Sequence, residues 1–313
     1  MIAAAVLALC AGRATAAPRC SEGEPYDRDV LAERVRFLAS KELAGRAPGS
    51  DGDKATRAFL VERFTCLGLQ PAFGRSYEQA FSEAGKDTAN VVGVIPGSDP
   101  AVASEIIMVS AHHDHLGDGH LGANDNASGV VALLAVAQAV AQRATPPKRT
   151  IVFAAFGAEE TGMHGSYFYA RKAPAALPVE RMVQVINLDM VGSHASRKKV
   201  LALGTFRGLV ATKLLAKLDD RYRKLDVRYG GKARGSDYEP FCNEGVPYAF
   251  FWTPDASCYH RTCDKADKLD YPRMADIASL AGDLTLTMSD TAIDLAAARR
   301  ERGCGLPVSS AGR

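Results

Sequence analysis

The sequence lacks an excess of charge of either sign: 38 Lys and Arg residues accompany 36 Asp and Glu residues, a formal net charge of +2 at pH 7. Its basic stretches are short, residues 221–224 among them, so nucleic acid or another polyanion is not expected as its main partner. It has no C-x-x-C pair and no Cys/His spacing of zinc-finger type. It also contains no internal repeat, and with 47% hydrophobic and 24% charged residues the composition is that of a globular chain.

The apolar runs are too short to cross a bilayer. The first, residues 2–12, precedes the small-x-small triplet 14–16, which is typical of a signal-peptidase site. We therefore predict a signal peptide at residues 1–17, one domain at residues 18–313 with an N-terminal helical segment, and export to a periplasm or secretion without stable membrane insertion. Two alternatives for the first run stay open, a lipoprotein modified at Cys10 and an ordinary buried segment.

The cysteine count agrees with export. Six cysteines remain when Cys10 is removed with the signal peptide, and an even number in an exported chain indicates disulfides. We expect one bridge within the set Cys242, Cys258 and Cys263, because these residues flank segments expected to be neighbours. Free buried thiols are the alternative.

The hydrophobic pattern predicts alternating strands and helices. Two helical segments, 29–44 and 54–67, come first and are separated by a turn rich in Gly and Pro. Strands are then predicted at 90–95, 105–111, 149–156, 182–188 and 246–252, with helices at 127–142, at 206–218 and after Pro272. Several of these strands are continuously apolar, as strands covered on both faces are. The fold class is therefore α/β, a three-layer α/β/α sandwich around a mixed, mostly parallel sheet.

Four predicted strands are followed by a carboxylate or an imidazole. His112 follows the strand at 105–111, the pair Glu159 and Glu160 follows 149–156, Asp189 follows 182–188, and His260 comes after 246–252. Asp125 precedes the helix at 127–142. A helix cap or an exposed acidic turn would explain single members of this set. Because ligands of open α/β sheets bind beyond the carboxyl ends of the strands, the shared position indicates a metal site.

The residue types suit two divalent cations. Asp125, Glu160 and Asp189 supply negative charge, a bridging hydroxide adds one more, and neutral His112 and His260 complete the ligands. Imidazole nitrogen with carboxylate oxygen favours zinc, with Mn²⁺ or Co²⁺ as substitutes. Two such ions about 3.5–4 Å apart would activate a water and polarise a carbonyl. Two further side chains then have roles: Glu159 is the expected general base, and Asp114 is the expected hydrogen-bond partner of His112.

Taken together, the motifs at residues 111–117, 122–129, 157–160, 187–190 and 259–260 resemble those of the co-catalytic dizinc exopeptidases, of the bacterial leucyl aminopeptidase and aminopeptidase Y type. The resemblance covers roughly residues 29–298 and includes weaker signatures at 43–46 and 90–93. It implies a zinc-exopeptidase-like fold, a catalytic domain with two Zn²⁺ per chain, and peptide substrates with a free N-terminus. It also implies that Asp125 bridges the two ions. We also expect a monomer, although the sequence itself does not give the oligomeric state.

The resemblance further implies that Tyr259 hydrogen-bonds the tetrahedral intermediate, with a packing role as the alternative. His112 is preferred among its neighbours because residues two apart in extended backbone face the same way, which groups His112 with Asp114. The pairing of His113 with His115 is the alternative ligand choice. Two other histidines, His120 and His164, match no ligand position and are expected in loops.

The sequence departs from the family pattern at two positions. Tyr238 stands where the family commonly has His, in a segment resembling a wall of the substrate pocket, and Cys263 stands where Pro or Thr is usual. Substrate preference is what these departures put in doubt.

The predicted function is that of a metal-dependent aminopeptidase that hydrolyses the N-terminal peptide bond through a hydroxide bridging two zinc ions, with Glu159 as general base. One alternative is a glutaminyl cyclase-type acyltransferase on the same fold, which would use a single zinc. A carboxypeptidase-like variant would need a cation for the substrate carboxylate, for which Arg234 is the candidate. The last alternative is a metal-free, receptor-like binding module.

Overall fold

A computed structural model describes residues 23–195, 199–231 and 235–304. The expected signal peptide, Cys10 and Arg234 lie outside these residues. Across the described part of the chain, no helix has both the length and the apolar character needed to span a membrane.

The described residues form one nine-stranded mixed sheet, with strand order β1-β3-β5-β4-β6-β9-β7-β8 and β2 paired with β3. The strands are β1 (Gln70–Pro71), β2 (Glu78–Glu83), β3 (Lys86–Ile95), β4 (Ile106–His112), β5 (Thr150–Phe156), β6 (Met182–Leu188), β7 (Lys199–Leu203), β8 (Asp226–Tyr229) and β9 (Tyr248–Trp252). Strands β5, β4, β6 and β9 are neighbours and run parallel. Antiparallel pairing lies outside this central group, between β3 and its partners and between β7 and β9.

Helices cover both faces of the sheet. They are α1 (Arg28–Leu38), α2 (Asp51–Cys66), α3 (Gly129–Ala141), α4 (His164–Lys172), α5 (Val210–Leu218), α6 (Glu239–Asn243), α7 (Tyr271–Asp290) and α8 (Leu295–Arg302). Helices α1, α2, α3, α5 and α7 contribute to the larger core, and α4 and α6 to the smaller core on the opposite face. The predicted three-layer α/β class is confirmed.

Strand β4 shows why the central strands are continuously apolar. All of its residues are buried, and they alternate between the two cores: Ile107 and Val109 face the larger one, whereas Ile106 and Met108 face the smaller one. A strand with helices on both faces has no solvent side, so neither set of alternating positions is polar. The predicted strand at 105–111 therefore matches β4 to within one residue at each end.

The first predicted helix ends earlier than expected. Helix α1 stops at Leu38 rather than near residue 44, since the chain turns over residues 39–45, and Gly45 at the end of these turns has a left-handed conformation with φ +82°. A Cβ on Gly45 would meet the backbone oxygen of His120 at 2.2 Å, so only glycine fits this close approach. Helix α2 then begins after Ser50, whose hydroxyl accepts a hydrogen bond from the Asp53 N–H at 3.1 Å.

Two disulfides lie in the described residues, Cys258–Cys263 and Cys242–Cys304. The first confirms the expected bridge within the set Cys242, Cys258 and Cys263. The partner of Cys242 is instead Cys304, which follows α8 and lies 62 residues further along the chain.

Candidate metal centre

The parallel strands β5, β4, β6 and β9 deliver the candidate residues to one edge of the sheet. His112 is the last residue of β4, and Asp189 directly follows β6. Glu159 and Glu160 come just after β5, and His260 lies in the loop after β9. The remaining candidate, Asp125, lies in the irregular turn Ala123–Ser128 that leads into α3.

One half of the site is formed around His112. Its Nε2 lies 3.3 Å from Asp125 Oδ1 and 3.4 Å from Asp189 Oδ1. The three side chains are buried and offer ligand atoms within 4.8 Å of one another, a grouping that could hold a metal ion. Asp125 therefore turns one carboxylate oxygen toward this half.

The other half is formed around Glu160. His260 Nε2 lies 2.8 Å from Glu160 Oε2 and 3.2 Å from Asp125 Oδ2, so the second oxygen of Asp125 faces this half. His115 also reaches it, with Nδ1 2.5 Å from Glu160 Oε1, and groups with Asp125 and Glu160 as a potential metal site. The alternation argument did not place His115 here, because β4 ends at His112 and the strand alternation does not apply to the residues that follow it.

His113 lies on the opposite side of the strand. Its Nε2 is 3.1 Å from Oδ1 of Asp53 in α2, and both side chains are fully buried. Asp53 also accepts a hydrogen bond from the Thr88 hydroxyl at 3.1 Å. The alternative ligand choice, His113 together with His115, is therefore met by only one of its members: His115 reaches the cluster of candidate ligands and His113 does not.

Asp114 joins the ends of two strands. Its carboxylate accepts the backbone N–H of Glu159 at 3.0 Å and that of Glu160 at 3.2 Å. His112 Nδ1 lies 3.2 Å from the Asp114 backbone carbonyl and 3.8 Å from its carboxylate. Asp114 thus contacts His112 mainly through its main chain, while its carboxylate positions the Glu159–Glu160 turn. Burial raises the pKa of Asp114.

A chain of buried hydrogen bonds supports Asp189. The Ser236 hydroxyl donates to Asp189 Oδ2 at 2.8 Å and accepts from Asn187 Nδ2 at 2.7 Å. The Ser110 hydroxyl donates in turn to Asn187 Oδ1 at 2.7 Å. Asp189 Oδ1 is thereby left to face His112.

Glu159 lies beside these ligand candidates, with Oε2 3.9 Å from His112 Nε2. Burial raises the pKa of Glu159 well above its usual value, and the carboxylates of Asp237 and Asp189 act in the same direction against the opposing effect of His112. Hydrogen bonding to Asp125 and Glu160 raises the pKa of His260 to about 10.

The site opens into a cavity of about 480 Å³. Its apolar wall is formed by Met190, Leu201, Leu203, Phe250 and Trp252. Tyr259 also lines the cavity; it is 50% exposed, and its ring stacks on that of His260 with centroids 3.8 Å apart. Tyr238, by contrast, is buried behind the wall, stacked on Tyr248 at 4.0 Å.

The donor set fits divalent metal ions. Carboxylates crowd together here at low exposure, an arrangement that is costly unless cations compensate the charge. His260 Nε2 lies against carboxylate oxygens of both Glu160 and Asp125, as expected of a nitrogen that shares a cation with them. The mixture of imidazole nitrogen and carboxylate oxygen is one that zinc favours.

The model of Peptidase family M28 matches residues 90–285, which include every candidate ligand. The chain belongs to peptidase family M28. Among curated relatives, this M28 chain is 26% identical over 284 residues to leupeptin-inactivating enzyme 1 of Streptomyces exfoliatus, covering 82% of this chain and 62% of the relative. It is 30% identical over 190 residues to aminopeptidase YwaD of Bacillus subtilis, covering 58% of this chain and 39% of the relative. The chain thus spans less than two thirds of the length of these relatives.

Solved structures show the same M28 fold. BSAP, a zinc aminopeptidase from Bacillus subtilis, superposes with a TM-score of 0.73 at 15% identity, covering 85% of this chain and 96% of that one. A glutaminyl cyclase from Porphyromonas gingivalis gives a TM-score of 0.68 at 17% identity, covering 83% and 98%. The fold is therefore shared by enzymes of two reaction classes, and the site has to distinguish between them.

Proposed function

We propose that this M28 chain is a metal-dependent aminopeptidase that uses two zinc ions to hydrolyse the N-terminal peptide bond of peptides. The observation that carries the proposal is the position of Asp125, whose two oxygens lie 3.3 Å from His112 Nε2 and 3.2 Å from His260 Nε2. A carboxylate between two imidazoles is arranged to bridge a pair of cations.

In the proposed centre, His112 and Asp189 would hold one ion, Glu160 and His260 would hold the other, and Asp125 would contribute to both. When bound, the ions would polarise the scissile carbonyl and lower the pKa of a water. Glu159, which is needed by neither half, takes the proton of the attacking water and passes it to the leaving amine.

Two neighbouring residues, Asp114 and Tyr259, support this chemistry. Asp114 holds the backbone of Glu159 and Glu160, so the base and the ligand next to it are positioned together. Tyr259, at the cavity, would hydrogen-bond the oxygen of the tetrahedral intermediate.

The cavity wall supports a preference for apolar N-terminal residues. Leu201, Leu203, Phe250 and Trp252 would surround the first side chain of the substrate, and burial of apolar area there favours Leu, Met or Phe. A charged first side chain would lose hydration against the apolar wall, whose residues offer it no charged partner.

A glutaminyl cyclase activity is the second candidate, favoured by the similar folds of solved glutaminyl cyclases. Against it, both halves of the cluster have a complete set of donors, whereas the cyclase alternative would use a single zinc. Its product would retain all atoms of the peptide except the ammonia lost on ring closure, which makes the two reactions separable by mass.

The test is a panel of aminoacyl p-nitroanilides with Leu, Phe, Met, Gly, Glu and Lys, together with N-acetyl-leucyl p-nitroanilide and a glutaminyl peptide. The proposal expects cleavage of the apolar substrates, no cleavage of the acetylated one, loss of activity after chelation and its return with zinc. Cyclisation of the glutaminyl peptide without amide cleavage would support the cyclase instead. Metal-free protein without either activity would support the binding module.

We further propose that the mature chain is an exported monomer. The disulfides are typical of an oxidising compartment. Fractionation of the producing cells followed by size-exclusion chromatography with light scattering tests both points; a dimeric mass or recovery with the cytosol would contradict them.

A further inference from the structure

The loop that carries His260 is closed by the Cys258–Cys263 disulfide, whose cysteines are only five positions apart. Tyr259 and His260 are therefore held inside a small covalent ring. His260 adopts a left-handed backbone conformation, with φ +54°. Residues other than glycine rarely adopt this conformation without support from their surroundings.

Burial provides little of that support. The His260 side chain is 35% exposed, and its ring neighbour Tyr259 is 50% exposed. Within the loop, the Arg261 N–H donates to the Cys258 carbonyl at 3.0 Å, and the Asp264 N–H donates to the Arg261 carbonyl at 3.0 Å. These short turns and the disulfide are what shape the backbone around His260.

Both ends of the ring are attached to the rest of the site. On one side, Asp264 directly follows the disulfide, and its buried carboxylate accepts the backbone N–H of Asn124 at 2.7 Å and that of Asp125 at 2.9 Å. On the other side, the Asp255 carboxylate accepts the Cys258 N–H at 3.2 Å and the Ser193 hydroxyl at 3.0 Å. The disulfide loop and the turn that carries Asp125 are thus joined through Asp264.

We propose that the Cys258–Cys263 disulfide pre-forms the half of the metal site built on Glu160 by holding His260 against Asp125 and Glu160 before metal binds. This inference rests on the proposed metal pair. With the ring closed, the imidazole is already at 2.8 Å from Glu160 Oε2 and 3.2 Å from Asp125 Oδ2. With the ring open, the exposed loop samples other conformations, and metal binding must then supply the cost of ordering it.

The half built on His112 contains no side chain from within the disulfide ring. His112 and Asp189 end or follow central strands of the sheet and are buried. The proposal therefore predicts an effect on one of the two ions. Removal of the disulfide should lower the affinity for the zinc held by His260 and leave the affinity for the other zinc unchanged.

The test compares two paired substitutions, Cys258→Ser with Cys263→Ser and, as the matched control, Cys242→Ser with Cys304→Ser. Serine avoids new thiol ligands beside the site. Zinc affinities of each variant and of the natural chain are measured by competition with a chromophoric chelator, with elemental analysis for stoichiometry. We expect the first variant to bind one of its two zinc ions at least about tenfold less tightly than the natural chain does. The control should keep both zinc affinities while losing thermal stability.

The inference would be overturned if the Cys258/Cys263 variant bound both zinc ions as tightly as the natural chain does. It would also be overturned if the control variant lost as much zinc affinity as the Cys258/Cys263 variant. If the first variant does not fold, mild reduction of the natural chain replaces it, because Cys258 and Cys263 are partly exposed whereas Cys304 is buried. The reductant is a phosphine, which is removed before the zinc titration. Alkylation followed by mass spectrometry shows which bridge has opened. Unchanged zinc binding with this bridge open would again overturn the inference.

The natural chain separates this inference from the proposed function. If it binds no zinc and cleaves no substrate, the proposed function itself fails. If it binds two zinc ions and is active but the disulfide does not matter, only the inference fails.

Discussion

The guanidinium of Arg46 donates from Nε to the backbone carbonyl of His113 at 2.8 Å, immediately behind the candidate ligand His112. Arg46 also donates to the carbonyls of Leu38 at 2.5 Å, Leu121 at 2.8 Å and Gly122 at 2.9 Å. One buried cation thereby joins the end of α1, the end of β4 and the segment before Asp125. Burial lowers the pKa of Arg46 to about 10, which still leaves it charged at neutral pH.

Replacement of Arg46 by lysine should destabilise the fold. An ammonium group is a point donor and cannot reach carbonyls arranged around a planar guanidinium, so buried acceptors lose their partners. We expect the free energy of unfolding to fall by about 3 kcal/mol, measured by urea denaturation. Arg221→Met removes an exposed pair with Asp283 and is the control, with an expected loss below about 1 kcal/mol. Similar losses in the two variants would contradict this role for Arg46.

Replacement of Glu159 by glutamine should remove turnover without removing metal. Glutamine keeps the shape but cannot take up the proton, and general-base catalysis contributes about 10²–10⁴ in rate. Initial rates with leucyl p-nitroanilide and elemental analysis check the two parts separately. Glu160→Gln is the contrasting variant, because it should weaken zinc binding itself. More than about a tenth of the original rate in Glu159→Gln would exclude Glu159 as the base.

Replacement of Ser236 by alanine should weaken zinc binding in the half of the site built on His112. Asp189 would lose the hydroxyl that holds Oδ2, and loss of such an outer hydrogen bond costs about 10–100-fold in metal affinity. Chelator competition measures the change. Ser110→Ala, at the far end of the same chain of hydrogen bonds, should have a smaller effect. An equal or larger effect of Ser110→Ala would show that the chain does not act through Asp189.

Replacement of Leu203 by alanine should reduce the preference for leucine. The smaller alanine makes less contact with the side chain of a leucyl substrate. A glycyl substrate has no side chain and should be unaffected. We expect the ratio of kcat/KM between leucyl and glycyl p-nitroanilides to fall roughly tenfold. Leu69→Ala, in the core beside α2, should lower stability and leave this ratio unchanged. An unchanged ratio in Leu203→Ala would place the specificity pocket elsewhere.

Much of the fold could be predicted because the central strands have a local signal. Strands β4, β5 and β6 are buried on both faces, so their sequences are continuous apolar runs and their ends are clear. Strands β1, β2, β7 and β8, which lie outside the central parallel group, were not predicted. They are short and partly exposed, and a short exposed strand differs little in sequence from a loop.

The sequence by itself determined the α/β class and the residues that follow each central strand, since both depend on local hydrophobic pattern and on the common direction of parallel strands. Only the tertiary structure decided which partners meet across long separations. Asp264 reaches the N–H of Asn124 from 140 residues away, Cys304 pairs with Cys242, and His115 joins Glu160. Such contacts depend on how the loops pack against one another around the sheet. Neither the spacing nor the polarity of these residues predicts which partners they meet.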